Sequence, residues 1–186
     1  ADEMTFAEGN CKVTQASASP RTDDNARGTM GVSSGKWYWE VKGSGGTVPV
    51  VVGICFDKLK MGSDLSGETG VYAIQNASAT NAYKRENGTT AETSGFTNPV
   101  NDNIINVAFD ADNAKLYIGI NGTYENQAGS TGDPAAGSNE TFSSIDTSHF
   151  WLPWIESRGA SQVAECNFGG SPAFTVSSGN ADANGY

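Results

Sequence analysis

Few side chains in this sequence of 186 residues have the chemistry to catalyse a reaction. The single histidine, His149, lies in the stretch DTSHFW, beside an apparent strand. A Ser-His-acid arrangement also needs an ordered nucleophile, and no GxSxG motif is present to hold a serine on a strand-to-helix turn. His149 is therefore interpreted as a loop or strand-edge residue without a catalytic role.

A pair of carboxylates is the second arrangement that could catalyse a reaction. Glycosidases use two acids about 5–9 Å apart, and Asp110 and Asp112 are two positions apart in FDADNAK. The pair lies at a predicted hairpin turn, and short acids and asparagine tolerate the tight backbone of such turns. Turn formation is the favoured interpretation, so the sequence predicts no catalytic residue and no enzyme.

The same DADN tract begins like a calcium-binding loop but does not continue as one. An EF-hand loop counted from Asp110 would have Gly at its sixth position and Glu at its twelfth, whereas this chain has Lys115 and Asn121. Calcium bound by scattered loop oxygens stays open as an alternative. Its candidate ligands are Asp57, Asp64 and Asp133. No cofactor is expected, and no metal ligand is assigned.

The cysteines are three in number and widely spaced, at Cys11, Cys55 and Cys166. An odd count without CxxC spacing argues against a disulfide framework and against a zinc site. Cys55 in VVVGICF and Cys166 in VAECNF lie in apparent strands, where we interpret them as buried, unreactive apolar side chains. A single cross-strand disulfide stays open as an alternative.

The charge of the chain excludes several classes of partner. The formal net charge is −10, and an acidic surface repels phosphate backbones and anionic membranes, so nucleic acid is not an expected partner. No apolar run approaches the ~20 residues that span a bilayer, and the N-terminus lacks the pattern of a signal peptide. Because the first residue is Ala1, the chain either lost its methionine or belongs to a longer product.

Short strands separated by turns are the elements that must position these side chains. The runs are rich in β-branched and aromatic residues, and no stretch has a helical period, so an all-β sandwich is predicted. The predicted strands are Asn10–Gln15, Lys36–Lys42, Val48–Phe56, Gly70–Gln75, Ala82–Arg85, Ile104–Asp110, Lys115–Ile120, Trp151–Ile155 and Gln162–Phe168.

Two stretches lack strand character. Asn121–Phe142, rich in Gly, Ser, Asn and Ala, is predicted to be a surface excursion held only at its ends. Residues 177–186 (SSGNADANGY) have the composition of a linker or tail. The sequence therefore predicts one sandwich domain over residues 1–176, followed by this tail.

Several of these segments, taken in order, resemble a SPRY domain. The order is SSGKWYWEVK, VVVGICF, GVYAIQ, a polar hairpin, IINVAFDADNAKLYIGINGTY, FWLPWI and VAECNFGGSPAF. Each piece alone is weakly specific, but the ordered series covers roughly Met30 to Phe174. The stretch KLYIGINGTYENQAGSTGDPAAGSN is similar, more narrowly, to SPRY-like modules of bacteriophage virion proteins.

The resemblance implies two packed antiparallel sheets with a lectin-like, concanavalin-type jelly-roll topology. It also implies a non-enzymatic module that binds proteins or peptides through loops at one end of the sandwich. Alternation along KWYWEV places Trp37 and Trp39 on one face of their strand, and we expect both in the core. The expected core residues that define the fold are Trp37, Trp39, Phe109 and Phe168.

By family analogy, the contacting loops would follow Ser19, Phe56 and Glu156. These loops hold a large share of the chain's cations, which are Arg21, Arg27, Lys58, Lys60 and Arg158. A local positive patch for an acidic partner is one interpretation. Scattered charge that only aids solubility is the other.

Two classes of function follow from the resemblance. The first is a virion module, a capsid decoration protein or a tail or fibre component, assembled in the host cytoplasm and bound to other virion proteins or to a host-surface glycan or protein. The alternative is a glycan- or peptide-binding recognition module that acts outside a virion, such as an adaptor-type SPRY protein. A homo-oligomer is compatible with both classes.

Overall fold

A computed structural model describes residues 4–15, 24–46, 50–61, 65, 67–76, 81–93, 95–126 and 128–169. Strands are the regular elements throughout these residues. They are β1 (Met4–Ala7), β2 (Lys12–Gln15), β3 (Asp24–Arg27), β4 (Lys36–Ser44), β5 (Val51–Phe56), β6 (Val71–Asn76), β7 (Ala82–Glu86), β8 (Thr89–Thr93), β9 (Ile104–Asp110), β10 (Lys115–Ile120), β11 (Thr123–Glu125), β12 (Trp151–Ser157) and β13 (Val163–Asn167). Within this part of the chain, no helix is long and apolar enough to cross a membrane.

The strands form two antiparallel sheets that pack as a sandwich, which confirms the predicted fold class. The first sheet has the order β1-β2-β13-β4-β9-β10-β11, and the second has the order β3-β12-β5-β6-β7-β8. Tight Asn-Gly turns at Asn87-Gly88 and Asn121-Gly122 join neighbouring strands, and all four residues have positive φ. Asn and Gly adopt that backbone at low cost, and the resulting turn matches the twist of a hairpin.

All nine predicted strands are present, with shifts at their ends, but four strands were missed. These four are β1, β3, β8 and β11, each of three to five residues. Strand β3 reads DNAR and lies at the edge of its sheet, so its polar sequence carries no alternating apolar signal. Pairing with β12 holds it in place instead.

The stretch Asn121–Phe142 lies mostly at the surface, as predicted, but its described residues are also hydrogen-bonded between the two ends, which was not predicted. Its first residues form β11. Asp133 and Ser138 then exchange two backbone hydrogen bonds of 2.9 and 3.1 Å, which close a turn over GDPAAGS. The ammonium group of Lys115 also donates to the carbonyl of Gly137 at 2.7 Å. Side-chain and backbone donors therefore order a stretch whose composition resembles a loose loop.

The core lies between the two sheets and is built from alternate residues of each strand. Trp39 and Phe109 are 4% and 1% exposed, so both are core residues, as predicted. A second apolar cluster covers the outer face of the second sheet, where Leu59 and Leu65 of the loop after β5 pack with Trp154. That loop is therefore a covering layer as well as a connection.

A buried ion pair crosses the outer face of the second sheet. Arg85 donates to both carboxylate oxygens of Glu156 at 2.9 and 2.7 Å, and both side chains are almost fully buried. The pair spans three strand spacings, because β5 and β6 lie between β7 and β12. Arg85 is in cross-strand register with Ala73 and, one strand further, with Gly53, and the small size of both residues leaves room for the arginine side chain. Glu156 lies diagonally beyond them, opposite Val51.

The cysteines are all free, which answers the question of a cross-strand disulfide. Cys55 and Cys166 are buried, as predicted, and Cys11 is half-buried. Burial raises the pKa of the Cys55 thiol and of the Cys166 thiol to about 12 in each case. Both thiols therefore stay protonated and chemically inert at neutral pH.

Candidate functional site: an aromatic cleft at the sandwich edge

Trp37 is not a core residue, which corrects the expectation drawn from strand alternation. It shares a strand face with Trp39, but 40% of its surface is exposed. The chain that runs beside it is residues 28–32, which follow the end of β3. They bond to β12 through the N–H of Gly28, which donates to the carbonyl of Pro153, and through an isolated bridge between Val32 and Trp151. The opposing sheet therefore ends before it covers Trp37.

The indole of Trp37 is nonetheless held in place. Its Nε1 donates to the carbonyl of Ser34 at 2.7 Å, within the turn that begins the strand. The backbone N–H of Gly35 in the same turn donates to a carboxylate oxygen of Asp112 at 2.8 Å. A fixed, partly exposed tryptophan is preorganised for binding, since its ring loses little freedom when a partner covers it.

Phe168 is the second predicted core residue that lies at the surface, with 47% of it exposed. Strand β13 ends at Asn167, which is paired with Glu40 of β4. Phe168 follows the last pairing, so neither neighbouring strand covers its ring. Its placement beside Trp39 and Pro153 brings it to the same edge of the sandwich as Trp37.

These side chains line an aromatic cleft between the two sheets. We define the aromatic cleft by Phe6, Met30, Trp37 and Phe168 on its rim, with Trp39 and Pro153 below them. Two connected hollows share Gly28, Trp39, Pro153 and Phe168, and the larger hollow has a volume of about 250 Å³. The rim residues Phe6, Met30, Trp37 and Phe168 are 54%, 67%, 40% and 47% exposed.

Exposed apolar side chains are concentrated at this cleft. Four of the seven large exposed hydrophobic residues in the described part of the chain form its rim, and the larger hollow also reaches Tyr38. Phe150 lies beside Gly31, the chain neighbour of Met30, because a Cβ added at Gly31 would lie 3.1 Å from the Cβ of Phe150. Val100 lies elsewhere in the described part. A contiguous exposed apolar patch marks an interaction surface, whereas scattered single residues do not.

A polar network on the opposite face of β4 fixes the strand that carries Trp37. The hydroxyl of Tyr38 donates to a carboxylate oxygen of Glu40 at 2.5 Å, and the amide of Asn106 donates to both side chains at 2.9 and 3.1 Å. Burial, followed by the hydrogen bond to Glu40, raises the pKa of Tyr38 far above its ordinary value. Burial and the charge of Glu40 raise the pKa of Tyr124 to about 12. These phenols therefore stay neutral donors.

The structure places Arg27 against the loop that carries Lys58 and Lys60, and it leaves Arg158 apart from them. Arg27, Lys58 and Lys60 are exposed near one end of the second sheet, and Arg27 donates to the carbonyl of Asp57 at 2.7 Å. Arg158 lies at the other end, because Trp151 pairs with Phe56 while the chain leaves β12 after Ser157. Roughly 20 Å of strand separates the two ends. Arg21 lies outside the described residues.

The carboxylates that could have served catalysis or calcium have local roles. Asp110 accepts hydrogen bonds from the backbone and the side chain of Asn113 at 3.1 and 2.9 Å, which is the predicted turn chemistry. Asp133 accepts from the N–H of Ala136 at 2.9 Å. Within the described ranges, no three His, Cys, Asp or Glu side chains gather around a metal-sized space. Asp64 lies outside those ranges.

Sequence reasoning missed the cleft because its parts are distant along the chain. Phe6, Met30 and Phe168 belong to three separated segments, and none of them follows a helical or alternating pattern. The one available signal was the doublet of tryptophans in KWYWEV. It was interpreted as core for both residues, because tryptophan pairs are seldom exposed.

Comparison with known proteins bears on the fold. No family model matches the sequence, and no curated protein matches it either. The PSpry domain of TRIM65 is similar in structure, with a TM-score of 0.61 and 12% identity over 88% of this chain and 83% of that domain. The SPRY domain of human HERC1 has a TM-score of 0.59 and 14% identity over 90% of this chain and 95% of that one. The chain has the fold of a SPRY domain.

Proposed function

We propose that this chain is a non-catalytic binding module whose aromatic cleft takes up an extended segment of a partner protein. The observation that carries the proposal is the concentration of exposed apolar side chains at the cleft. Aromatic-lined grooves bind peptides because ring faces supply contact area at a low cost in side-chain entropy. The SPRY fold supports the proposal, since that resemblance implies binding of proteins or peptides.

The chemistry of the partner segment follows from the cleft and from the charge of the chain. Trp37, Met30 and Phe168 offer apolar contacts, so the segment presents aliphatic, proline or aromatic side chains at its centre. The net charge of −10 attracts cations, so basic residues flank these anchors.

A displayed library of random peptides tests this proposal directly. The wild-type chain should select peptides with apolar centres and Lys or Arg flanks. Trp37→Ala and Met30→Ser should each weaken binding of the selected peptides by about tenfold or more, because both remove rim contact area. Affinity is measured by fluorescence anisotropy of labelled peptides.

Val100→Ser is the matched control, since Val100 is 51% exposed and lies outside the cleft. That variant should bind the peptides like the wild type. Equal binding by wild type and Trp37→Ala would refute the proposal, provided that both proteins unfold at similar urea concentrations.

A virion setting is a second and finer proposal, and its support is the sequence alone. The stretch KLYIGINGTYENQAGSTGDPAAGSN resembles modules of bacteriophage virion proteins. In that setting the partner segment would belong to a neighbouring virion protein. Mass spectrometry of purified particles tests this idea, and absence of the chain from the particles would exclude it. Binding to a host glycan instead would give a glycan-array signal that depends on Lys58 and Arg158.

A further inference from the structure

Strand β4 is paired on one side over only part of its length. It is a central strand of the first sheet, between β13 and β9. Its pairing with β9 covers Lys36–Lys42, whereas its pairing with β13 covers only Glu40–Ser44. Backbone groups inside a sheet are normally bonded on both sides of the strand. The part of β4 at residues 36–39 therefore borders a gap in the sheet, in line with β13.

Strand β13 ends because its chain turns away from β4. Asn167 is its last paired residue, opposite Glu40. Gly169 has a φ of 82°, and its N–H donates to the side-chain oxygen of Asn167 at 3.0 Å. Glycine adopts this backbone at low cost, and the asparagine side chain takes up an N–H that would otherwise continue the ladder. No described strand therefore extends β13 along the rest of β4.

The backbone groups of Lys36 and Tyr38 point into this gap. Successive residues of a paired strand direct their N–H and C=O groups to opposite sides. The carbonyl of Gly35 accepts from the N–H of Ala111 at 3.0 Å, so Gly35 and Trp37 face β9. Lys36 and Tyr38 face the other side, where no group of the described residues is hydrogen-bonded to their backbone.

The gap opens into the aromatic cleft. The larger hollow of the cleft is lined by the consecutive residues Trp37, Tyr38 and Trp39, together with Phe168. The side chain of Tyr38 points to the opposite face of β4, where its hydroxyl donates to Glu40. Because side chains alternate along a strand, three successive residues line one hollow where the strand presents its backbone edge. Unpaired backbone groups of β4 therefore lie on the wall of the cleft.

We propose that the partner segment binds in the aromatic cleft as an added β-strand, antiparallel to β4 and in line with β13. Its backbone pairs with Lys36 and Tyr38, each of which offers one N–H and one C=O group. The antiparallel direction follows the sheet, since β13 and β9 are both antiparallel to β4. The inference rests on the proposed function and adds the way in which the segment is held.

This mode of binding determines the pattern of the segment. Cross-strand neighbours share a face, so the residue opposite Trp37 points its side chain into the cleft and is apolar. The residues on either side of it lie opposite Tyr38 and Lys36 and point to the other face, where the ammonium group of Lys36 pairs with Asp110 at 3.3 Å. Polar residues suit these two positions. Because their N–H groups bond to β4, proline is excluded there and is tolerated only at the apolar position.

A scan of backbone N-methylation tests the pairing from the side of the peptide. The probe is the tightest-binding peptide from the displayed library, with each central residue methylated in turn. Methylation at the positions that face Tyr38 and Lys36 should weaken binding by about tenfold or more, because it removes a ladder donor and places a methyl group against β4. Methylation of the residue between them should change the affinity by less than about twofold, since its N–H points away from β4.

Amide hydrogen exchange tests the pairing from the side of the protein. In the free chain the N–H groups of Lys36 and Tyr38 should exchange rapidly, and saturating peptide should slow both by about tenfold or more. The N–H groups of Trp37 and Trp39 face β9, so they are the internal controls and should exchange slowly in both states. Protection of Lys36 and Tyr38 before peptide is added would show that the gap is already filled, and it would overturn the inference.

Failure of this inference is distinguishable from failure of the proposed function. Binding that Trp37→Ala weakens, but that N-methylation affects equally at every position, would overturn the added strand and leave the cleft as the binding site. An alternating profile without protection of Lys36 and Tyr38 would place the strand at another edge and would also overturn the inference. Peptide binding that is unaffected by Trp37→Ala, or a library without binders, would overturn both proposals.

Discussion

Burial divides the three cysteines into two classes of reactivity. Cys55 and Cys166 lie inside the sandwich with thiol pKa values raised to about 12, whereas Cys11 is half-buried. Only the thiolate reacts with alkylating agents. The two buried thiols should therefore be protected from alkylation both by their protonation and by the lack of access for the reagent. Iodoacetamide should therefore add one label to the native protein, at Cys11, and three labels in urea. Native labelling of Cys55 or Cys166 at the rate of Cys11 would contradict the assigned burial.

The two tryptophans of β4 show what strand alternation can predict for a single residue. Alternation assigned Trp37 and Trp39 to one face of the strand, and they are on one face. Whether that face is covered depends on where the opposing sheet ends. The course of residues 28–32, which run beside Trp37, determines that end. No local pattern near Trp37 contains that information, so Trp39 could be predicted as core and Trp37 could not.

The buried ion pair of Arg85 and Glu156 links β7 and β12 across the second sheet. Removal of Arg85 or Glu156 alone would leave a buried charge without its partner, which typically costs about 3–5 kcal/mol. Arg85→Met and Glu156→Gln should therefore each lower the free energy of unfolding by about this amount, as measured by urea denaturation. The double variant should lose clearly less free energy of unfolding than the two single variants lose together, because the second change removes the charge that the first change left unpaired.

An exposed ion pair provides the comparison for these single and double variants. Lys42 and Asp102 are 33% and 74% exposed and 3.8 Å apart. Replacement of either residue by Ala should change the free energy of unfolding by less than about 1 kcal/mol. If the singles at Arg85 and Glu156 behaved like this surface pair, the buried ion pair would not contribute to the fold as described.

The buried ion pair could not be predicted from the sequence, and the reason is physical. Arg85 and Glu156 are 71 positions apart, and their strands are not neighbours. The arginine side chain passes over β6 and β5, where the residues in register with it are the small Ala73 and Gly53. A Cβ added at Gly53 would lie 2.0 Å from the carbonyl oxygen of Tyr72, so this position also requires glycine.

At the scale of the whole molecule, the ordered strand segments predicted the sandwich, and the two sheets are as expected. Recognition was predicted at cationic loops, of which Arg27, Lys58 and Lys60 lie near one end of the second sheet and Arg158 lies at the other. The aromatic cleft instead gathers Phe6, Met30 and Phe168 from distant segments of the chain. Such proximity arises only once both sheets are assembled.

Net charge gives the last prediction, which concerns the dependence of binding on salt. A chain with a formal charge of −10 attracts basic flanks of a bound peptide over distances comparable to the screening length. That length falls from roughly 14 Å at 0.05 M salt to about 6 Å at 0.3 M. The affinity of a Lys-flanked peptide for the aromatic cleft should therefore fall by about an order of magnitude over this range, mainly through slower association. A peptide with the same apolar centre and neutral flanks should change little, because burial of apolar surface is not screened. If both peptides bound equally well at every salt concentration, the long-range charge of the chain would play no part in choosing its partner.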